Sequence, residues 1–310
     1  MKAILFEGES CMNMDRRRFL GGSSAIAGVA IAGVFDESIA AAKPKRTATD
    51  LVPLGIRGPK ICRLGMGTGS EGGAVQMELG REGFNKLVRH AYDSGVNYID
   101  TADMYRTHEW IRDAIKGLPR EKLWIQTKMR WDAPSPPEKP LEVLDRFRKE
   151  LGVDYIDSLL IHCCTKPGWD EDLKRMRDAF SEAKEKKIIK LHGVSCHGLP
   201  ALQRATHVDW VDVQLARVNP QGRHVDGLKG EWEEPGIVPD AMKEIKAMHA
   251  KGRGVIGMKM IGNGDFKKPE DREKAIQFAM KCGFVDAVVV GFKSALEIDE
   301  TIERMNRALA

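Results

Sequence analysis

Short apolar runs alternate with longer amphipathic runs from about residue 51 to the end of the chain. This alternation is typical of β-α units whose strands form a parallel sheet. Eight strands and eight helices are predicted, which is the number that closes a (β/α)8 barrel. The predicted strands are 63–67, 96–100, 122–128, 156–162, 189–195, 210–215, 254–259 and 286–291. The predicted helices are 82–94, 108–117, 141–151, 170–186, 198–206, 238–251, 270–282 and 295–308.

Two segments of the same region do not follow the alternation. Residues 51–62 carry glycine turn signals at Gly55 and Gly58, and we expect them to form a short hairpin at the bottom of the barrel. Residues 217–237 are polar and rich in glycine and proline, and we expect a loop over the barrel mouth. The predicted fold class is therefore α/β, a single (β/α)8 TIM barrel with an N-terminal β-hairpin plug.

The first 42 residues differ from the rest of the chain. Residues 16–20 are Arg-Arg-Arg-Phe-Leu, residues 21–35 are apolar and rich in small side chains, and residues 40–42 are three alanines. This order is typical of a twin-arginine signal peptide that ends in a cleavage site. We expect residues 1–42 to be that signal and residues 43–310 to be the barrel domain. A retained N-terminal anchor is the less favoured alternative, because the apolar stretch is short for a membrane span.

Such a signal predicts a partner and a location. The partner is the twin-arginine export machinery, and the protein is expected to be periplasmic or otherwise exported by that pathway, with no stable membrane span after processing. The 310 residues are 42% hydrophobic and 30% charged, with 49 Lys+Arg against 45 Asp+Glu. Because the small positive excess is spread along the chain, we expect no nucleic-acid partner.

Four chemically active side chains lie where predicted strands run into loops. Asp100, Lys128 and His162 end three successive strands, and Tyr105 follows Asp100 by five residues. The carboxyl ends of parallel barrel strands meet at one rim, which is where the active sites of TIM barrels lie. The period-two alternation of each strand also directs Asp100 and Lys128 to the same side as their alternate neighbours. The pattern therefore predicts a catalytic mouth.

These strand ends belong to a longer series of motifs that resembles the aldo-keto reductase family. The run Gly-Val-Asn-Tyr-Ile-Asp-Thr-Ala-Asp-Met-Tyr is similar to a family segment that contains the catalytic aspartate and tyrosine. The resemblance extends in the family's order from about residue 50 to the C-terminus. The matching segments are 63–68, 95–105, 127–128, 155–162, 193–195, 213–214 and 291–294.

The resemblance implies the roles of the four strand-end residues. Tyr105 would be the general acid or base of a hydride-transfer reaction at a carbonyl, and Lys128 would lower the pKa of the phenol. Asp100 would hold Lys128 in place, and His162 would orient the substrate oxygen or share in the proton relay. The resemblance departs at Arg106, where the family commonly has glycine after the tyrosine.

The resemblance also implies a nicotinamide cofactor. Ser195 and Gln214 match positions that bind its carboxamide, although Cys196 stands where asparagine is usual. Met258 matches a tyrosine that covers the nicotinamide ring, a contact that methionine can also make. The implied cofactor-binding residues are Gly67, Thr68, Ser195, Gln214, Met258, Lys259, Gly262, Lys293, Ser294 and Glu297.

The choice between NADP and NAD stays open at this point. Lys293 favours the phosphate of NADP, whereas Glu297 lies near the position of the family's phosphate-binding arginine and favours the ribose hydroxyl of NAD. Because NADP is the more usual cofactor in the family that the chain resembles, we predict NADP, with NAD as the alternative. The expected partner is a small-molecule carbonyl substrate (aldehyde, ketone or sugar) or the corresponding alcohol. The alternative function is a catalytically weak nucleotide-binding barrel that acts as a redox-sensing or partner subunit.

The six cysteines raise two further possibilities, a disulfide and a metal site. Cys163, Cys164 and Cys196 are expected near the mouth, where a disulfide from Cys196 to either of the others would be compatible with an oxidising compartment. Together with His162 and His197 they could also suggest a soft-metal site, but vicinal cysteines rarely ligate one ion. No Cys-x-x-Cys pair is present in the sequence. We expect buried thiols and no metal.

Overall fold

The computed structural model describes residues 45–131 and 137–310. The predicted signal peptide, residues 1–42, lies outside the described residues. The described part begins with an antiparallel hairpin, β1 (Leu51–Pro53) and β2 (Lys60–Cys62), and continues as a closed barrel of eight parallel strands. The barrel strands are β3 (Leu64–Gly67), β4 (Tyr98–Asp100), β5 (Trp124–Met129), β6 (Ile156–Cys164), β7 (Ile189–Cys196), β8 (Val213–Arg217), β9 (Gly254–Met258) and β10 (Ala287–Gly291).

Helices surround the barrel. The longer ones contribute apolar residues to a core between themselves and the strands, and a single stripe of each helix is buried there. The helices are α1 (Ala74–Met77), α2 (Gly80–Asp93), α3 (His108–Ile115), α4 (Pro140–Leu151), α5 (Trp169–Asp172), α6 (Lys174–Glu185), α7 (Leu199–His207), α8 (Val238–Ala250), α9 (Pro269–Lys281) and α10 (Ala295–Leu309).

Alternate residues of each strand fill the inside of the barrel. Tyr98, Trp124, Leu160 and Leu215 belong to an interior cluster, whereas their strand neighbours pack outward against the helices. Gly65 makes room for this filling, because a Cβ there would lie 2.3 Å from a ring carbon of Tyr98. The strand alternation thus determines which side chains reach the mouth.

The hairpin closes the amino-terminal end of the barrel. Leu54 joins the interior cluster, and the backbone N–H of Gly55 donates to Asp286 Oδ2 at 3.0 Å. The N–H of Ile56 donates to the carbonyl of Gly252 at 3.2 Å. Gly55 has φ +78°, and a Cβ there would lie 2.4 Å from that same carbonyl oxygen, so glycine is required at this turn. The plug leaves the opposite, carboxyl-terminal rim free for chemistry.

The predicted fold class is confirmed, and the predicted elements correspond to observed ones within a few residues. The short helix α1 was not predicted, because a four-residue helix carries no clear periodicity, and the predicted helix 170–186 is divided at Leu173 into α5 and α6. Strand β6 continues to Cys164, past its predicted end at His162, with an irregular register against β7 between Ile161 and Cys164. Within the described ranges, no helix is long and apolar enough to cross a membrane.

Candidate active site

The four predicted catalytic residues lie together at the carboxyl-terminal rim. Lys128 Nζ donates to Asp100 Oδ2 at 2.7 Å and to the carbonyl of Thr101 at 2.8 Å. Tyr105 lies on a short 3₁₀ turn after β4, and its hydroxyl is 3.3 Å from His162 Nε2. Lys128 Nζ lies 5.1 Å from the centroid of the Tyr105 ring. Asp100 and Lys128 are buried, and Tyr105 is half-buried, so the group combines a dry interior with an accessible phenol.

A buried hydrogen-bond network orients Asp100. Gln126 Nε2 donates to Asp100 Oδ1 at 2.8 Å and to the Tyr98 hydroxyl at 2.9 Å. Ser158 Oγ donates in turn to Gln126 Oε1 at 2.8 Å. Both oxygens of Asp100 are therefore occupied, one by Gln126 and one by Lys128. A carboxylate held on both sides fixes the position of the ammonium group beneath Tyr105.

Three threonine hydroxyls support the backbone beside the same aspartate. Thr107 Oγ1 lies 3.0 Å from Thr68 Oγ1 and 2.9 Å from Thr101 Oγ1, and Thr68 Oγ1 donates to the Asp100 carbonyl at 3.2 Å. All three residues are buried. Thr68, predicted to bind cofactor, is thus buried against the backbone of Asp100 and does not line the cavity.

The protonation of the site differs from the sequence-based expectation in one respect. Burial raises the pKa of the Tyr105 phenol well above its ordinary value, and the Asp100 charge adds to the effect. Lys128 was expected to lower this pKa, but its ammonium donates to Asp100 and Thr101. Burial lowers the pKa of His162 well below its ordinary value, with the charges of Lys128 and Lys259 next in importance. Tyr105 is therefore the protonated partner of the pair, and His162 is neutral.

Strained backbone accompanies these residues. Arg106, Cys163 and Lys259 have φ values of +57°, +59° and +57°, and they directly follow Tyr105, His162 and Met258. Non-glycine residues rarely adopt this conformation. At position 106 it explains why glycine suits the family pattern, because glycine reaches positive φ without steric cost. Strain at such sites persists only where the surrounding structure enforces it.

A cavity of about 440 Å³ extends from the catalytic residues between the ends of β9 and β10 and helices α9 and α10. Its inner end is formed by Asp100, Tyr105 and Lys128. Five of the predicted cofactor-binding residues also line it, namely Gly67, Met258, Lys259, Lys293 and Glu297.

The other predicted cofactor-binding residues lie beside or behind the cavity wall. Gln214 shares a face of β8 with Ala216, which packs toward the helices, and its Nε2 donates to the Leu215 carbonyl at 2.9 Å. Ser195 Oγ is buried with no hydrogen-bond partner among the described residues. Gly262 precedes the lining residues Asn263 and Gly264.

Ser294 caps the helix that borders the cavity. It is the N-cap of α10, and its Oγ accepts a hydrogen bond from the backbone N–H of Glu297 at 3.3 Å. Glu297 Oε2 accepts from the N–H of Lys293 at 2.9 Å. This Ser-x-x-Glu arrangement is a helix-start signal. Ser294 thus shapes the loop that presents Lys293 to the cavity.

Sequence reasoning missed several basic residues at the outer end of the cavity. Arg272 and Arg304 line it, and both pair with Glu300 at 3.3 and 2.8 Å. Arg304 also pairs with Glu273 at 2.8 Å. The signal was available in the spacing of α10, because Glu297, Glu300 and Arg304 recur every three to four residues and so share a face.

Two glycines in the cavity wall let protein side chains pack against the backbone. A Cβ at Gly69 would lie 2.4 Å from the Tyr105 ring, and one at Gly291 would lie 2.0 Å from Ser70 Oγ. Glycine at these positions therefore fixes the places of Tyr105 and Ser70 in the cavity lining. Met258 at the inner end offers an apolar surface, and the basic residues at the outer end offer charge for phosphate groups.

A group of possible metal ligands lies next to the catalytic histidine. The ligand atoms of His162, Cys163 and His197 lie within 4.8 Å of one another. His197 Nδ1 accepts from Arg217 Nη2 at 2.8 Å, which leaves the proton on Nε2, the nitrogen nearer to Cys163 Sγ at 3.7 Å. The charges of Lys128, Lys259 and Arg217 further disfavour a cation there. No disulfide joins the described cysteines.

The structure is a (β/α)8 barrel with Asp100, Lys128, Tyr105 and His162 grouped at its carboxyl-terminal rim, beside a cavity of about 440 Å³. The chain belongs to the aldo/keto reductase family, whose model matches residues 63–300. Membership in this family carries with it the use of a nicotinamide cofactor.

Individual relatives have diverse names. The chain is 30% identical over 225 residues to a 7-acetyl-epi-neemfruitin B aldo-keto reductase of Melia azedarach, which covers 66% of this chain and 68% of that protein. It is 26% identical over 166 residues to an NADH-specific methylglyoxal reductase of Escherichia coli, covering 46% of this chain and 51% of that protein. Several other matches are shorter, and span 24–37% of the relative's length.

The fold is also found among solved structures. An aldo-keto reductase, AKR11C1 from Bacillus halodurans in its holo form, matches with a TM-score of 0.66 and 17% sequence identity. The match covers 84% of this chain and 95% of that chain. At this identity the likeness supports the architecture alone.

Proposed function

We propose that this protein is an NAD(P)H-dependent oxidoreductase that reduces an aldehyde, ketone or sugar carbonyl, or oxidises the corresponding alcohol. The observation that carries the proposal is the 3.3 Å contact between the Tyr105 hydroxyl and His162 Nε2, at the inner end of a nucleotide-sized cavity. A carbonyl oxygen placed between these two groups could receive a hydrogen bond from one and a proton from the other.

Each of the four rim residues would have a separate role in proton transfer. A nicotinamide held by the cavity residues would supply the hydride for the new C–H bond at the carbonyl carbon. The electron pair of the C=O π bond moves to oxygen, and that oxygen takes the proton of Tyr105, which solvent later replaces. Neutral His162 would hold the oxygen in position, and the positive charge of Lys128, 5.1 Å from the centre of the Tyr105 ring, would offset part of the cost of the phenolate that burial disfavours. Asp100 and Gln126 keep Lys128 in place.

The outer end of the cavity favours NADP over NAD. Lys267, Arg272, Lys293 and Arg304 line it together with the carboxylates of Glu297 and Glu300. These four cations outnumber the two carboxylates, so a net positive charge remains to attract a phosphate after Glu300 has paired with the arginines. NAD remains the alternative, as the name of the NADH-specific relative illustrates.

Replacing Arg304 by leucine should separate the two cofactors. We expect the Kd for NADPH to rise about tenfold, because a charge-assisted contact to the phosphate is lost, and the Kd for NADH to stay within about twofold. Fluorescence titration measures both constants. Arg307→Leu, on the same helix but outside the cavity lining, is the matched control. Equal weakening of both nucleotides would contradict a phosphate contact.

A catalytically weak nucleotide-binding barrel is the competing function. It is favoured by the position of Gln214 outside the cavity lining, since the family pattern implies a carboxamide contact there. Purified protein with NADPH and a panel of simple aldehydes distinguishes the two functions. Loss of reduced-nicotinamide absorbance supports the enzyme, whereas tight nucleotide binding without turnover supports the binding module.

Export by the twin-arginine pathway is a further part of the proposal, and it rests on the sequence of residues 1–42. Changing Arg16 and Arg17 to lysine is expected to leave the full-length protein in the cytoplasm of a bacterial host that has this pathway, because the arginine pair is the feature that the machinery reads. Cell fractionation followed by immunoblotting measures the distribution. Arg46→Lys, which changes an arginine downstream of the signal, is the matched control and should leave export unchanged. If export does not depend on the arginine pair, both variants will be exported equally.

A further inference from the structure

Two further basic side chains lie near His162, in addition to Lys128. Arg217, at the end of β8, is 2% exposed, and Lys259 directly follows Met258 at the end of β9. The ring of Trp232 covers both, with its centroid 5.5 Å from Arg217 Cζ and 4.9 Å from Lys259 Nζ. We call Arg217 and Lys259 the distal cation pair.

The charges of the distal cation pair are incompletely compensated. Arg217 Nε lies 3.8 Å from Asp226 Oδ1, and in the described part of the chain neither that nitrogen nor either oxygen of Asp226 has a hydrogen-bond partner. Lys259 Nζ donates to the neutral amide oxygen of Asn263 at 2.8 Å, and no described carboxylate lies within ion-pair distance of it. Buried charges normally require both a counter-ion and hydrogen bonds, so an anion here would be stabilised.

The distal cation pair is connected to the catalytic residues. Arg217 Nη2 donates to His197 Nδ1 at 2.8 Å, and the His197 and His162 rings have centroids 6.2 Å apart. The pKa of Lys259 is lowered to about 8, by burial first and by the Arg217 charge next. The same positive charges lower the pKa of His162 and His197. The side of the mouth beyond His162 therefore has a positive potential that would attract an anionic group.

We propose that the distal cation pair binds a carboxylate of the substrate, so that the preferred substrates are short oxo acids. The inference rests on the proposed function, since it assigns the reacting carbonyl to Tyr105 and His162 and the carboxylate to Arg217 with Lys259. Arginine binds carboxylates through two parallel N–H groups, and the Nε of Arg217, which makes no hydrogen bond and lies 3.8 Å from Asp226, would form one of these bonds. Trp232, which stacks on His224 and is 41% exposed, would form the outer wall of this site.

Matched acid and neutral substrates test the proposal. The acids are 4-carboxybenzaldehyde and succinic semialdehyde, and their neutral counterparts are methyl 4-formylbenzoate and butanal. We expect kcat/KM with NADPH to favour each acid by about tenfold or more, chiefly through a lower KM, because a charge-assisted contact is gained. In Arg217→Met this ratio should fall to about one, and in Arg217→Lys to an intermediate value. Lys229→Met, which removes an exposed cation of the same loop, should leave the ratio unchanged.

Two outcomes would overturn the proposal. One is a wild-type ratio near one while the neutral aldehydes are reduced, which would leave the proposed function intact. The other is an acid preference that survives in Arg217→Met protein whose NADPH affinity shows that it is folded. If no carbonyl of the set is reduced, calorimetric titration of NADP⁺-loaded protein with succinate decides separately. Binding that Arg217→Met abolishes supports the carboxylate site, and absence of binding to the wild type refutes it.

Discussion

Replacing Tyr105 by phenylalanine is expected to lower kcat for carbonyl reduction by about 10³-fold, within the range that removal of a general acid produces. The substitution removes the hydroxyl that lies 3.3 Å from His162 and keeps the ring that packs against Gly69. His162 cannot replace the lost acid, because burial and the nearby Lys128 and Lys259 lower its pKa well below the ordinary value and keep it neutral. Stopped-flow measurement of NADPH oxidation gives the rate.

The control for this experiment is nucleotide affinity. The Kd of NADPH for Tyr105→Phe should stay within about twofold of the wild-type value, because the cavity wall is unchanged apart from one oxygen atom. Tyr155→Phe is the matched variant, since that ring lies between Arg120 and Lys190, away from the cavity lining. Activity of Tyr105→Phe within a few-fold of the wild type would mean that another residue is the acid.

The barrel and its catalytic rim could be predicted because both depend on local periodicity. The alternation of each strand already directs Asp100 and Lys128 inward, and the parallel arrangement brings His162 to the same rim. A closed barrel leaves little freedom in these positions. Local signals were therefore sufficient for the arrangement of the tetrad.

The distal cation pair could not be predicted in the same way. Arg217 meets His197 and Trp232 only after the loop of residues 217–237 has folded back over the mouth. That loop path depends on long-range contacts, such as the hydrogen bonds of Arg223 and His224 with Asp265 at 2.5 and 3.1 Å. No periodic pattern specifies such contacts. The left-handed backbone of Lys259 is likewise imposed by its surroundings.

Family motifs located the cavity but did not determine which side chains face it. Gln214 was expected at the nicotinamide by its match to the family, and the structure places it on the outer face of β8. The direction of its side chain depends on register, and each one-residue step along a strand reverses the face. Arg304 shows the converse, since no motif marked it but the spacing of α10 brings it to the cavity.

Replacing Lys128 by methionine is expected to lower the free energy of unfolding by about 3–5 kcal/mol, because the substitution leaves Asp100 charged, buried and without its counter-ion. Changing Asp100 to asparagine in the same chain removes that charge, and the double variant should regain most of the lost stability. Its carbonyl reductase activity should nevertheless remain as low as that of the single variant, because nothing then stabilises the phenolate of Tyr105. Urea unfolding and NADPH oxidation measure the two effects on the same preparations.

Comparing Lys128→Met with the double variant separates the electrostatic role of the Lys128–Asp100 pair from the packing of the Lys128 side chain. Lys174→Met is the matched control, because that lysine forms an exposed ion pair with Asp178, and it should change neither stability nor activity measurably. A double variant as unstable as Lys128→Met would show that the aliphatic packing of residue 128 matters more than its charge. Recovered stability together with recovered activity would instead contradict the role of Lys128 in catalysis. Recovered stability without activity is the result expected if the same buried pair both holds the rim together and supports proton transfer from Tyr105.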